Sequence, residues 1–308
     1  MENTSNFEFR YNCPLCKEKS QLNIFYNGDI RSGGLGSPLV SGYKVLQCGK
    51  CDLVFLDKIP ANIQEFYEGD SYRENFDYQI DVVSLQKKFD HEQNSRISRI
   101  GVERMRGKVV ADFGCGPGIF IDAIARVAGS KIVVEPSIKY REFLSARGHR
   151  CFSYAHELLQ ELGPEVDIAV SFDAVEHVPD CLGFIESIHA SLKPGGYFYL
   201  SMPNIEDMLR FINPEKYNPF YFQVSHVNYF SAKTAANLLS LAGFVEVSID
   251  FLHKYKIENV FRWLSQGSPG AFNCGEIFDR SFHDTYVANI ERLGISSHLF
   301  LTAKKSPL

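Results

Sequence analysis

From about residue 107 onward, short apolar runs alternate with apolar positions at helical spacing. Val109, Val110 and Ala111 form a run that ends in Asp112, and Gly114, Gly116 and Gly118 follow at every second position. Ile119, Phe120, Ile121, Ala123, Ile124 and Val127 then recur as the buried face of a helix. This predicts a strand, a tight glycine turn and a helix, the first unit of a doubly wound α/β sheet. A second strand is expected over Lys131–Glu135, with Pro136 as a first helical residue and a helix closing at Gly148. Third and fourth strands follow at Arg150–Tyr154 and Val166–Phe172. Leu192–Leu200 reads as a helix end, a turn at Pro194-Gly195-Gly196 and a fifth strand. Ala232–Ala242, closed by Gly243, predicts a helix before a sixth strand at Val245–Phe251, and His298–Ala303 predicts a seventh.

The first hundred residues have a different pattern. Cys13-Pro-Leu-Cys16 and Cys48-Gly-Lys-Cys51 are two C-x-x-C knuckles, joined by a glycine-rich stretch and a strand-like Tyr43–Leu46. Each knuckle can put two thiolates on one ion, and four thiolates close a structural Zn2+ site with no open position. A segment dense in aromatics follows (Phe66, Tyr67, Tyr72, Phe76, Tyr78), then a helical stretch over Val82–Arg106 with Leu85, Phe89, Ile97 and Ile100 apolar. Three parts are therefore expected: a zinc ribbon over 1–60, an aromatic connector and helical lid over 61–106, and the α/β domain over 107–308. Residues 252–296 exceed what a hairpin between the last two strands needs, which predicts a helical insertion.

Charge and composition narrow the function. The chain has 308 residues, a net charge of −5 and eight cysteines. Residues 1–60 carry seven Lys/Arg and six Asp/Glu, and four thiolates on a divalent ion add about −2. The ribbon is thus unlike a surface that neutralises phosphates, and nucleic acid is not the expected partner. No apolar stretch reaches the 18 or so residues of a membrane span. Met1–Arg10 lacks a basic-then-apolar signal pattern, so a cytoplasmic protein with reduced or metal-bound thiols is expected. Cys115, Cys151, Cys181 and Cys274 have no such pairing and read as packing residues.

The motifs carry a resemblance. An acid followed by G-x-G-x-G, then "FDAVEHVPD" at 172–180 and "LKPGGYFYLSMPN" at 192–204, resembles class I S-adenosylmethionine (SAM)-dependent methyltransferases. That resemblance implies a seven-stranded, doubly wound, Rossmann-like sheet, with the last strand inserted antiparallel at the sheet edge. It implies SAM as cofactor, held by Asp112 near its ammonium, Gly114, Gly116 and Gly118 at the turn, and Glu135 and Pro136 at the ribose. Tyr154 would line the adenine, where the family's usual aspartate is missing, and Phe172 and Asp173 would follow the methionine moiety. A cysteine ribbon, a tyrosine-rich connector and a SAM domain together look like bacterial deoxysugar C-methyltransferases and surface-glycan methyltransferases. The chain departs from the former in lacking a second large domain after the SAM fold.

The acceptor is then a small molecule, most simply a sugar or nucleotide-linked sugar. A hydroxyl or carbon acceptor needs a base, and His226 in "SHVNYF" and His177 in "EHV" can titrate near neutral pH. Tyr221 and Tyr229 are further candidates. The aromatic groups near Tyr67–Tyr78 and Tyr217–Phe230 are expected to face one another across the cleft mouth. Two competing readings are a zinc-knuckle RNA methyltransferase and a non-enzymatic scaffold of the same fold. The acceptor atom, the base, self-association and the role of 252–296 stay open at this level.

Overall fold

The computed structural model describes residues 7–69, 82–270, 272 and 277–308. Tyr72, Phe76, Tyr78 and Cys274 lie outside these residues, as do the side chains of Phe66, Tyr67 and Leu85. The expected facing of the two aromatic clusters therefore lies outside the described residues.

Seven strands form one sheet: β1 (Val109–Phe113), β2 (Ser130–Val134), β3 (Arg150–Phe152), β4 (Val166–Phe172), β5 (Leu192–Pro203), β6 (Phe244–Leu252) and β7 (His298–Lys305). Their order is β3-β2-β1-β4-β5-β7-β6, with the first five parallel and β7 antiparallel to both neighbours. This is the Rossmann-like, doubly wound α/β sheet that the apolar pattern predicts. Parallel strands covered on both faces need near-continuous apolar runs, and β4 is buried at six of its seven positions. No helix among the described residues is long and apolar enough to cross a membrane.

Several boundaries differ from expectation for local reasons. β7 is not the edge strand. It pairs antiparallel with β5 on one side and β6 on the other, and the partly exposed β6 forms the edge instead. The long helix stops at Ile100 because Gly101 adopts φ 90, and a separate turn of helix covers Val102–Met105. The glycine turn opens only a five-residue helix, Ile119–Ala123. Pro136 precedes its helix, which starts at Ile138 after Ser137. The turn expected at 194–196 is a bulge within β5: pairing steps from Val166–Leu192 to Ile168–Tyr197, and the intervening residues loop out.

The N-terminal strands are not an appendage. Leu22–Tyr26, Val45–Cys48 and Val54–Leu56 form an antiparallel sheet, and its fourth strand is Asn228–Tyr229 from the far end of the chain. Phe55 and Leu53 pack in one apolar cluster with Cys181, Phe230 and Leu238. On the other face, Val45 and Leu56 join Tyr217, Tyr221, Phe222 and Trp263. Burying a side chain of this size contributes about 2 kcal/mol, so the two parts share a core that neither completes alone. The insertion after β6 supplies helices Ile257–Gln266 and Arg280–Arg292. Trp263 closes the second cluster, its ring 4.8 Å from both Tyr217 and Phe220.

Candidate functional site

The carboxyl ends of β1, β2 and β4 converge on the glycine turn, where a doubly wound sheet opens a crevice. Asp112 ends the apolar run of β1 and is 3% exposed. Burial pushes its carboxyl up to about 7, with Arg96 opposing and Glu135 adding to the shift. At Gly114 the backbone has φ 75, and a Cβ would stand 2.7 Å from that of Ala174. Only glycine fits there. The Gly116 N–H donates to one Glu135 oxygen (2.7 Å) and the Ser137 N–H to the other (3.0 Å). Each carboxylate oxygen accepts two hydrogen bonds, so Glu135 keeps acceptor capacity facing the turn. The carbonyls of Glu135 and Pro136 are fixed by Arg141, at 2.7 and 2.6 Å. Tyr154 stacks on His156 before the helix Ala155–Leu162, and its hydroxyl donates to Glu68 of the helix Ile63–Glu68.

Past β4, Phe172 packs edge-on against Phe120, and the Arg96 guanidinium lies over its ring at 4.6 Å. Asp173 is a non-glycine residue at φ 53, a strained conformation of the kind that clusters at functional sites. Its carboxylate accepts from Arg96 (3.0 Å), Lys254 (3.1 Å) and Ser201 (3.1 Å). Burial alone would push Asp173 up, but Lys254 and Arg96 hold it well below the usual carboxylate range. Glu92 joins the same group through Arg96 (3.0 Å) and Lys254 (3.6 Å). Sequence reasoning missed Arg96, Lys254, Glu92 and His298. Burial and the neighbouring Lys254 lower His298 to about 3, so its imidazole is neutral.

His177 and His226 come together although 48 residues separate His177 from its anchor, Ser225. The short turn Val175–His177 carries the first; its Nδ1–H donates to the Ser225 carbonyl at 2.8 Å. The Val227 N–H donates to the Glu176 carbonyl, also at 2.8 Å, and so ties the two loops. The imidazoles sit 4.7 Å apart and nearly perpendicular. Burial, then His177, hold His226 well below the usual imidazole value. Glu176 is buried beside them, and burial with Asp173 raises its carboxyl well above the ordinary range. Tyr221 lies in the aromatic cluster with Tyr217 and Phe222, its hydroxyl without a hydrogen-bond partner among the described residues. Burial raises that phenol well above 10. The Tyr229 hydroxyl is engaged with the Gln223 backbone at both N (3.0 Å) and O (3.1 Å).

The N-terminal part braces both histidine loops. The Arg10 guanidinium donates to the carbonyls of Val227 (2.6 Å) and Pro179 (3.1 Å) and to Asn228 Oδ1 (2.9 Å), and lies over Phe55. Asn228 in turn donates to the Val178 carbonyl at 2.7 Å. Arg31 pairs through its backbone with Phe222 and Val224 (3.0 and 2.9 Å), and its guanidinium covers the Phe220 ring. Neither arginine carries a signal in the sequence.

The four knuckle sulfurs lie within 4.8 Å of one another, with Cys13–Cys51 and Cys16–Cys48 at 3.5 Å. That spacing is far beyond a disulfide's ~2.05 Å. It is close to the edge of roughly 3.8 Å in a tetrahedron with ~2.3 Å metal–sulfur arms. Both knuckles close in the same way. Lys17 N–H donates to the Cys13 carbonyl (3.0 Å) and Asp52 N–H to that of Cys48 (2.9 Å), with Lys17 at φ 60 and Asp52 at φ 66. The donor set fits a closed tetrathiolate. Cys115 lies in the glycine turn, while Cys181 is buried in the main cluster, where burial pushes its thiol to about 12.

Comparison with known proteins gives concordant likenesses. The profile of a family described as "Methyltransferase domain" matches residues 85–249. The chain is similar to a ubiquinone biosynthesis O-methyltransferase of Bradyrhizobium sp. (strain ORS 278), with 30% identity over 105 residues, 32% of this chain and 42% of that one. It is also similar to a "Probable S-adenosylmethionine-dependent methyltransferase" of Mycolicibacterium smegmatis, 32% identical over 157 residues, 49% of this chain and 57% of the relative. The chain thus spans less than two thirds of these curated relatives. A SAM-dependent methyltransferase structure from Archaeoglobus fulgidus matches with TM-score 0.51 and 20% identity, over 74% of this chain and all of that one. That last likeness is one of fold.

Proposed function

The chain belongs to the methyltransferase-domain family, and on that premise we propose that it transfers a methyl group from SAM to a small, sugar-related acceptor. The observation that carries the SAM-binding part of this reading is the pair of buried carboxyls, Asp112 and Glu135, at the ends of adjacent strands on either side of the glycine turn. SAM, when bound, supplies a sulfonium methyl that is already activated. The protein's task is to align a nucleophile behind it at about 3 Å. Asp112 pairs with the cofactor's ammonium and Glu135 accepts from its ribose hydroxyls. Tyr154 borders the adenine; Phe172 and Asp173 border the methionine end. Cys13, Cys16, Cys48 and Cys51 hold a structural Zn2+, and the free thiols suit a reducing, cytoplasmic setting. Residues 1–60, 61–106 and 107–308 then serve as ribbon, lid and catalytic domain.

On the acceptor side, His226 deprotonates or orients the nucleophile, with His177 holding its loop. Tyr221 shapes the aromatic floor. The relatives named as O-methyltransferases favour a hydroxyl as the acceptor atom. Isotopically labelled SAM incubated with a panel of nucleotide-linked sugars and other hydroxylated metabolites tests this. One S-adenosylhomocysteine should form per methyl group gained by a small acceptor. Label entering RNA instead would favour the RNA-methyltransferase reading.

A pH dependence follows from Asp112. Its folded value is raised from 3.8 to about 7, so the empty site favours the protonated carboxyl between those values. The stability this contributes is present below the unfolded value and lost as pH rises through about 7. An ammonium needs the ionised form, so cofactor affinity has the opposite sense and weakens as pH falls. Binding at pH 5.5 should be about tenfold weaker than at pH 7, a range in which an α-amino group stays protonated. Asp112→Asn should flatten the dependence in calorimetric titrations at the two pH values. An unchanged slope in that variant would remove Asp112 from the ammonium site.

A further inference from the structure

We propose that Glu176, His177 and His226 bind one divalent cation, distinct from the thiolate site, and that this ion presents the acceptor's hydroxyl to the methyl donor. The three side chains each offer one ligand atom, and these atoms lie within 4.8 Å of one another. The two imidazole centres are 4.7 Å apart with planes at 82°. An imidazole bound at about 2.1 Å puts its centre roughly 3.2 Å from the ion, so two rings side by side on one ion stand roughly 4.5–5.2 Å apart. The observed pair has that spacing.

Glu176 provides an independent observation. It is 2% exposed, and its Oε2 has no hydrogen-bond partner among the described residues. Buried carboxylate oxygens are paired or coordinate metal, because leaving one bare is costly. The orientation of His177 adds to this. Its Nδ1–H donates to the Ser225 carbonyl, which fixes the tautomer and turns Nε2 into the ligating atom. Two nitrogens and one carboxylate oxygen are the ligands of an open, catalytic type of site, unlike the closed set of four thiolates. Imidazole ligands favour a first-row transition ion or zinc over magnesium.

The use of the ion rests on the methyltransferase reading; its binding does not. Glu176 and His177 lie just past Asp173, at the carboxyl end of the strand beside β1. A hydroxyl bound at the open position becomes more acidic and releases its proton to solvent. An oxygen lone pair then forms the bond to the methyl carbon, the carbon–sulfur bond breaks, and its electron pair stays on sulfur. The products are a methyl ether and S-adenosylhomocysteine. An acceptor with a second oxygen next to the reacting hydroxyl, a vicinal diol or a hydroxy-carbonyl, would chelate the ion. His226 then acts as an orienting ligand.

Titrating full-length, zinc-loaded protein with Mn2+, with free Mn2+ followed by electron paramagnetic resonance, tests the site. One Mn2+ per chain should bind, and Glu176→Gln should weaken it at least tenfold while zinc content stays at one. If that variant does not fold, His226→Asn serves the same purpose. No bound Mn2+ or Co2+ at millimolar concentration, or equal binding by the variants, overturns the proposal. SAM calorimetry on the same samples separates the two readings. Mn2+ binding without SAM binding keeps the cation site and sinks the methyltransferase assignment; SAM binding without Mn2+ does the reverse.

Discussion

Cys13→Ser protein should be purified without its zinc, melt at lower temperature and turn over poorly, yet still bind SAM. Structural zinc contributes about 10–16 kcal/mol to folding in small zinc modules. A third of that, about 4 kcal/mol, would lower the melting temperature by about 8 °C or more. The functional loss follows from the brace. Val54–Leu56 pairs with Asn228–Tyr229, and Arg10 ties the 227–228 and 178–179 loops together. Once the knuckles open, the histidine loops lose those partners, while the glycine turn and Glu135 keep theirs. Metal analysis, thermal melting and calorimetry on one preparation check the three parts. Unchanged metal content and melting would remove the four cysteines from any structural role.

His226→Ala should lower turnover by about 10²-fold or more with cofactor affinity unchanged, the usual size of a lost acid–base or orienting group. Burial and His177 hold the His226 imidazole neutral at neutral pH. Wild-type turnover should therefore show no break near pH 6.5 from this residue. Full activity of the variant on the true acceptor would return His226 to a structural role. Tyr221→Phe should be far milder, because its hydroxyl has no hydrogen-bond partner among the described residues.

The parts of the molecule legible in the sequence are those with a local pattern. Val109–Gly118 announces a strand and its turn within ten residues, and Glu135 follows at the distance a doubly wound unit sets. The knuckles are readable because each C-x-x-C pair is a local pattern, and the fold brings the four sulfurs within 4.8 Å of one another. What escaped prediction depends on long-range pairing. Arg96 and Lys254 reach Asp173 across 77 and 81 residues, and Arg10 reaches Val227 across 217. No periodicity marks such partners, and each arginine or lysine alone reads as a solvated surface charge. Asn228–Tyr229 is too short a strand to show alternation, so its pairing with the ribbon was invisible. The place of β7 between β5 and β6 is a property of the whole sheet. Its apolar run gives a buried strand but not its neighbours.

Calorimetric titration of SAM into the zinc-loaded chain at pH 7 tests the central claim most directly. One cofactor should bind per chain. Glu135→Gln should weaken it by about 1–3 kcal/mol, the scale of hydrogen bonds lost to a charged group, or roughly 5–150-fold in Kd. Absence of SAM binding to the folded, metal-loaded protein, or a Glu135→Gln variant with the same affinity, would contradict the account.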